Sequence, residues 1–198
     1  MPNLAIYDTF DRVSYPTLGL VGQTSTSGHT WVVKLNNFDV YEEDGAGTSY
    51  AKGVSNGRNI CGFDYGTGDV TLASHHKTVP AGGNSGIALR VGDGYNNCII
   101  VGAEGVIKRV GGVETLLATT MTWAGTIPGT NVKVVAAGSS IKVWFDGVLS
   151  VDITETDLMS NTFHGIYSRS AADGAGFCHD FGVLDEPPGG WSVGSLRF

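Results

Sequence analysis

The residues of this chain that could do chemistry are few and scattered. His75 and His76 adjoin, but neighbours on a strand face opposite ways and no Cys or His stands nearby at a liganding spacing, so the pair reads as a polar strand edge. His29, His164 and His179 are single, the last two beside predicted strands that a folded-over sheet would bring close. The acids gather in Tyr41-Glu42-Glu43-Asp44-Gly45 and Asp185-Glu186-Pro187. Adjacent carboxylates diverge on a pleated strand, and paired acid and base catalysis needs two that face each other across about 5 to 10 Å. Both runs read as solvated loops. Cys178 precedes His179, yet that segment has the pattern of a closing core strand, and with Cys61 and Cys98 it gives three cysteines read as buried thiols. Gly102-Ala103-Glu104-Gly105 lacks the lysine and the strand-to-helix context of a phosphate cradle and reads as a turn. No catalytic centre, metal site or cofactor is expected.

The elements that would position any site are strands. Period-2 alternation recurs over 31–35, 38–41, 49–52, 59–63, 70–75, 85–91, 97–101, 106–110, 114–120, 131–137, 140–145, 148–153, 162–168 and 175–184, with no convincing helical period. One short helical turn is expected at Thr156-Asp157-Leu158-Met159. Asp146-Gly147 between Ile141–Phe145 and Val148–Val151 predicts a type I′ hairpin, because both turn positions need positive φ. Gly111-Gly112 and Ala137-Gly138-Ser139 are further turns. The result is an all-β chain, a two-sheet antiparallel sandwich, occupying residues 1–184. Glu186-Pro187-Pro188-Gly189-Gly190 breaks strand pairing, so 185–198 is read as a contact arm whose Trp191, Leu196 and Phe198 would touch another subunit or particle.

Composition narrows the partners. The 198 residues carry a net charge of −7 and no Lys/Arg run, which argues against nucleic acid. With 41% hydrophobic and 16% charged residues the chain can bury a core, and its 30 glycines, without a Gly-X-Y period, fit many tight turns. No window is apolar enough for a spanning helix, so no membrane insertion is expected. The first residues show neither a basic nor a signal-like apolar stretch, so the chain reads as mature or as kept in a cytosol.

Taken together, Tyr7-Asp8-Thr9-Phe10-Asp11-Arg12, Trp31, Gly86-Ile87-Ala88-Leu89-Arg90-Val91 with Gly92-Asp93-Gly94-Tyr95-Asn96-Asn97, Ile141 to Val148, Phe163-His164-Gly165-Ile166-Tyr167 and Phe177 to Val183 form an ordered series. In order and spacing it resembles the concanavalin A-like lectin/glucanase superfamily in its laminin-G-like form, over about residues 7 to 184. The resemblance implies a jelly roll whose first and last strands pair, with Phe10 and Phe181 in the core. Hydrolases of that superfamily carry two glutamates flanking an aspartate at alternate strand positions, and this chain has no such motif. Alternation puts Ile87, Leu89 and Val91 in the core and Arg90 on the opposite face; it likewise buries Ile141, Val143 and Phe145 and turns Trp144 outward. Arg90, Trp144, Tyr167 and Arg169, with Asp93 and Tyr95 at one rim, are therefore the candidate glycan contacts, since sugar rings offer apolar faces and hydroxylated rims. Asp93, Asn96 and Asn97 also have the composition of turn formers, with calcium or sugar contact as the alternative reading.

The function expected from these features is a non-catalytic structural or adhesion protein of a bacteriophage virion, in tail, fibre or capsid decoration, whose lectin-like surface takes host glycans. Such a protein would be a homo-oligomer, with other virion proteins and a cell-surface glycan as partners. Buried thiols and the lack of an export signal suit assembly in a host cytoplasm. The alternatives are a carbohydrate-binding module of a secreted bacterial protein, and a glycoside hydrolase or lyase with an atypical acid pair.

Overall fold

Alternation along Ser140–Phe145 is realised residue by residue: Ile141, Val143 and Phe145 are buried while Ser140, Lys142 and Trp144 are half-buried on the other face. Repeated along the chain, this pattern builds two antiparallel sheets packed face to face in a jelly-roll sandwich. The computed structural model describes residues 4–8, 10, 28–36, 38–42, 49–53, 57–77, 84–119, 130–169 and 177–184. The expected arm, with Trp191, Leu196 and Phe198, and the acidic runs beyond Glu42 and Leu184 lie outside them.

One sheet runs β13 (Val148–Thr154), β12 (Ser140–Phe145), β11 (Thr130–Ala137), β6 (Val70–Lys77), β15 (Phe177–Leu184), β4 (Ser49–Gly53) and β3 (Phe38–Glu42), with β1 (Leu4–Asp8) also paired to β15. The other runs β10 (Val113–Ala118), β9 (Gly105–Val110), β8 (Cys98–Gly102), β7 (Asn84–Val91), β14 (Phe163–Arg169), β5 (Arg58–Asp64) and β2 (Val32–Leu35). The chain changes sheet on either side of β2, β5 and β14, and again between β6 and β7 and between β10 and β11, as a jelly roll requires. First and last strands pair with Asp8 opposite Phe181, and Phe10 and Phe181 are fully buried. The buried Asp8 carboxylate accepts bonds from Trp31 Nε1–H at 2.5 Å and the Phe10 amide at 2.8 Å. It thereby anchors the indole, whose ring lies 4.5 Å from Phe63 and 5.8 Å from Phe181.

The turns obey their chemistry. Asp146 and Gly147 have φ of 45° and 88°, and Gly111 and Gly112 have 57° and 84°, the doubly positive pair of a type I′ hairpin. At Thr156–Met159 the expected helical turn is instead a non-helical turn at residues 157–160. The Glu155 carboxylate accepts the amides of Asp157 and Leu158 there, satisfying the backbone without a helix.

His75 and His76 need a correction. They lie in β6, between β11 and β15 in the middle of the sheet, not at an edge. His76 is fully buried with Nε2 2.6 Å from Ser74 Oγ. His164 and His179 belong to different sheets.

The main core lies between the sheets, and a second apolar layer lies outside the seven-stranded one. Ile60, Ala88, Val91, Cys98, Ile100, Phe163 and Tyr167 are buried there, with Leu35 and Tyr95 packed over them. The β7–β8 connection, which includes a 3-10 turn at Gly94–Asn96, folds back over this outer face. Buried on both faces, β8 carries the unbroken apolar run Cys98-Ile99-Ile100-Val101.

Candidate functional site

Two arginine clusters sit at different places on the seven-stranded sheet: in one the arginine is fully buried, in the other both arginines are partly exposed. The first surrounds Arg90. Between Phe163 and Gly165 of β14 lie two steps, but their partners Val91 and Ala88 on β7 are three apart, so β7 carries a bulge. Arg90 occupies it at φ 52°. The extra residue reverses the parity of the strand end: Val91 joins the outer layer and Arg90 turns inward, fully buried. This corrects the expectation that Arg90 faces a ligand on the open face.

Side chains replace the ladder bonds that the bulge removes. The Arg90 amide donates to His164 Nδ1 at 3.2 Å, and Asn161 Nδ2 donates to the Arg90 carbonyl at 3.1 Å. The guanidinium then ties two loops together, Nε donating to Gly68 O at 3.0 Å and Nη2 to Gly138 O at 2.5 Å, with Asp69 at 3.6 Å. His164 Nε2–H donates to Thr67 O at 2.9 Å, which assigns the neutral tautomer with Nδ1 as acceptor. Burial, with the neighbouring Arg90 charge a smaller cause, holds the imidazole down at about 4. The cluster is a structural clamp with its guanidinium and imidazole turned inward.

The second cluster lies on the outer face and is half open. Tyr95, carried over the sheet by the 3-10 turn, stacks near Tyr167 of β14 with ring centroids 6.3 Å apart and planes 14° from parallel. The guanidinium carbons of Arg58 and Arg109 lie 4.4 and 4.3 Å from the centroid of the Tyr95 ring. Three donors converge on one carboxylate oxygen, Glu114 Oε1: Tyr95 O–H at 2.5 Å, Arg58 Nη2 at 2.8 Å and Arg109 Nη1 at 2.9 Å. The Tyr95 hydrogen bond, and then the two arginines, hold the Glu114 carboxyl below its ordinary range. Burial pushes the Tyr167 hydroxyl up to about 12, so it stays a neutral donor. Side-chain exposures of 30% for Arg58, 21% for Arg109 and 37% for Glu114 leave part of each group in water.

The loops are braced for this arrangement. The Gly112 amide donates to Asn96 O and the Gly111 amide to Asn97 Oδ1, locking the β9–β10 turn onto the 3-10 turn. Asn96 N–H donates to Asp93 O, so Asp93 and both asparagines shape the loop that presents Tyr95.

Of the residues singled out in the sequence, Tyr95 and Tyr167 come together at this site. Asp93 is exposed in the same loop. Arg169 is exposed on β14, where it pairs with Glu104 at 3.1 Å. Trp144 does not join them: it faces outward from β12, in the other sheet, with Lys133 Nζ 5.2 Å from its ring. Arg58, Arg109 and Glu114 were missed. A signal for two of them was present, because a two-residue Gly111-Gly112 turn pairs Val110 with Val113 and therefore sets Arg109 directly across from Glu114.

No family model matches the chain, and no curated protein sequence matches it. The fold does have solved counterparts. The carbohydrate-binding module CBM66 from Bacillus subtilis superposes with a TM-score of 0.57 at 16% identity, over 80% of this chain and 91% of that one. The carbohydrate recognition domain of Emp46p, in its potassium-bound form, gives 0.59 at 10% identity over 85% and 97%. Domain 4 of AbnA, a GH43 extracellular arabinanase from Geobacillus stearothermophilus solved with arabinotriose, gives 0.56 at 10% identity over 92% of each chain. At these identities the likeness is one of fold.

Proposed function

We propose that this domain is a non-catalytic carbohydrate-binding module whose ligand sits on the outer face of the seven-stranded sheet, against Tyr95, Arg58, Arg109 and Glu114. The convergence of three donors on Glu114 Oε1 carries the reading. Those bonds leave Glu114 Oε2 as an acceptor and further guanidinium N–H groups as donors, fixed side by side around an aromatic ring. A sugar hydroxyl both donates and accepts, and a sugar ring face is apolar, so a polyol matches this set in a way that a purely anionic or purely apolar ligand does not. Structures of similar fold that are named for carbohydrate binding support the same reading.

The cluster is poorly suited to hydrolysis. A glycosidase acid must hold a proton near neutral pH, and the carboxyl at this site is lowered, not raised. In the fuller proposal the module is displayed on a bacteriophage particle and binds host-surface glycans. The support for that part is chemical: Cys61, Cys98 and Cys178 are all buried and none is in a disulfide, as suits folding in a reducing cytosol. A carbohydrate-binding module of a secreted bacterial protein is the alternative.

A glycan array probed with the labelled protein and with Tyr95→Ala tests the proposal. Binding by the wild type that falls at least about tenfold in the variant, roughly 1.4 kcal/mol, is the expected result. Equal signals from the two proteins on every glycan would remove this face from consideration.

A further inference from the structure

The described sandwich has an unprotected edge. Strand β10 ends the seven-stranded sheet, and Val113, Glu114, Thr115 and Leu116 are exposed in succession. Of the exposed large hydrophobic residues among the described ones, Val110 at 40%, Val113 at 70% and Leu116 at 54% belong to the β9–β10 hairpin. Val148 at 57% and Leu149 at 47% belong to β13, the adjoining edge of the other sheet. Soluble proteins usually guard such an edge with lysine, proline or unpaired charge. Here Val113–Leu116 contains neither lysine nor proline. Its one charge, Glu114, is already matched by Arg58 and Arg109.

The turn fixes which backbone groups are available. A type I′ Gly111-Gly112 turn makes Val110 and Val113 a hydrogen-bonded pair, so Glu114 and Leu116 direct their N–H and C=O away from β9. We propose that this edge pairs antiparallel with the same edge of a second copy of the chain about a two-fold axis through Thr115. In this register Glu114 of each copy pairs with Leu116 of the other, and every outward backbone group of the segment is used. A shift that pairs Glu114 with itself leaves Leu116 opposite a turn glycine. A shift that pairs Leu116 with itself meets the irregularity between Leu116 and Ala118. The two copies of Thr115 become a directly opposed β-branched pair, a favourable cross-strand neighbour. The neutralised Glu114 lets the strands approach without like-charge repulsion. The segment is short, so the dimer is weak and concentration-dependent, and it joins the seven-stranded sheets into one surface carrying two Tyr95 sites side by side. This inference stands independently of what those sites bind.

Sedimentation equilibrium of the full chain, up to about 1 mM, should show a mass rising toward twice the 20.7 kDa of one chain. Thr115→Cys should form an intermolecular disulfide under mild oxidation, because opposed residues of a non-hydrogen-bonded pair lie about 4.5 Å apart between Cα atoms, within disulfide range. The native cysteines are buried, and Val32→Cys, exposed on β2 at the opposite end of the same sheet, controls for random collision. Thr115→Glu places two carboxylates across the axis, and within its own chain it stands opposite Lys108, which Glu155 and Asp157 already hold; it should sediment as a monomer while circular dichroism and a cooperative melt show it folded. A wild type that stays monomeric throughout, or a dimer that Thr115→Glu leaves intact and Thr115→Cys fails to cross-link, overturns the proposal; so does a Val32→Cys control that cross-links equally well.

Discussion

Arg90 and the pair Arg58 and Arg109 are the same residue type on the same sheet, yet they do opposite jobs. Arg90 is buried, and its Nε and Nη2 donate to backbone carbonyls of two neighbouring loops, with Asp69 beside them. Arg58 and Arg109 lie against an aromatic ring, share one carboxylate oxygen and keep part of their surface in water. A buried arginine that donates to backbone carbonyls holds a fold together. One whose donors are only partly used, beside a carboxylate with an oxygen to spare, is equipped to bind.

The largest test of that contrast is Arg90→Ala. Orphaning the buried Gly68 carbonyl and leaving a cavity where a fully buried side chain stood should cost about 2 to 4 kcal/mol. Urea unfolding would measure it, and a loss under about 1 kcal/mol would mean that Arg90 is no clamp. The pH dependence of stability comes next. His164 titrates at about 4 in the fold and about 6.5 unfolded. Its folded value is depressed, so its contribution is fully present above about pH 6.5 and is lost as pH falls toward 4, by up to about 3 kcal/mol. His164→Gln should flatten that part of the stability profile. At the open cluster, Glu114→Ala should reduce glycan affinity about tenfold or more while shifting stability by about 1 kcal/mol or less. The smallest expected effect is that of Trp144→Ala. Sitting on the other sheet, Trp144 should leave glycan affinity unchanged within about twofold, whereas a large loss would move the site to the eight-stranded sheet.

The sequence made most of the fold legible because turn chemistry and period-2 burial are local. Asp146-Gly147, Gly111-Gly112 and the alternation of Ile141, Val143 and Phe145 needed no tertiary information to interpret. The site was legible only in part. Alternation says which face of a strand a residue occupies, and it placed Tyr167 on the outer face and Trp144 on the face away from the core. It does not say to which sheet the strand belongs, so residues of β12 and β14 were grouped as one surface when they lie on two. Arg90 failed for another reason. A bulge shifts parity by one, and this bulge is set by the side chains of His164 and Asn161, more than 70 positions away. Strand β1 was visible only through Tyr7-Asp8 at the start of the Tyr7–Arg12 stretch, because its remaining identity comes from pairing with β15 at the far end of the chain.

The open arginine cluster is the binding surface on this reading, and that is its central claim. Amide chemical-shift mapping, with the array's tightest oligosaccharide titrated into the labelled protein, tests it most directly. The largest shifts should fall on Arg58, Tyr95, Arg109, Glu114 and Tyr167, with Lys133 and Trp144 unmoved. Shifts centred on Lys133 and Trp144, with the Tyr95 cluster silent, would contradict it.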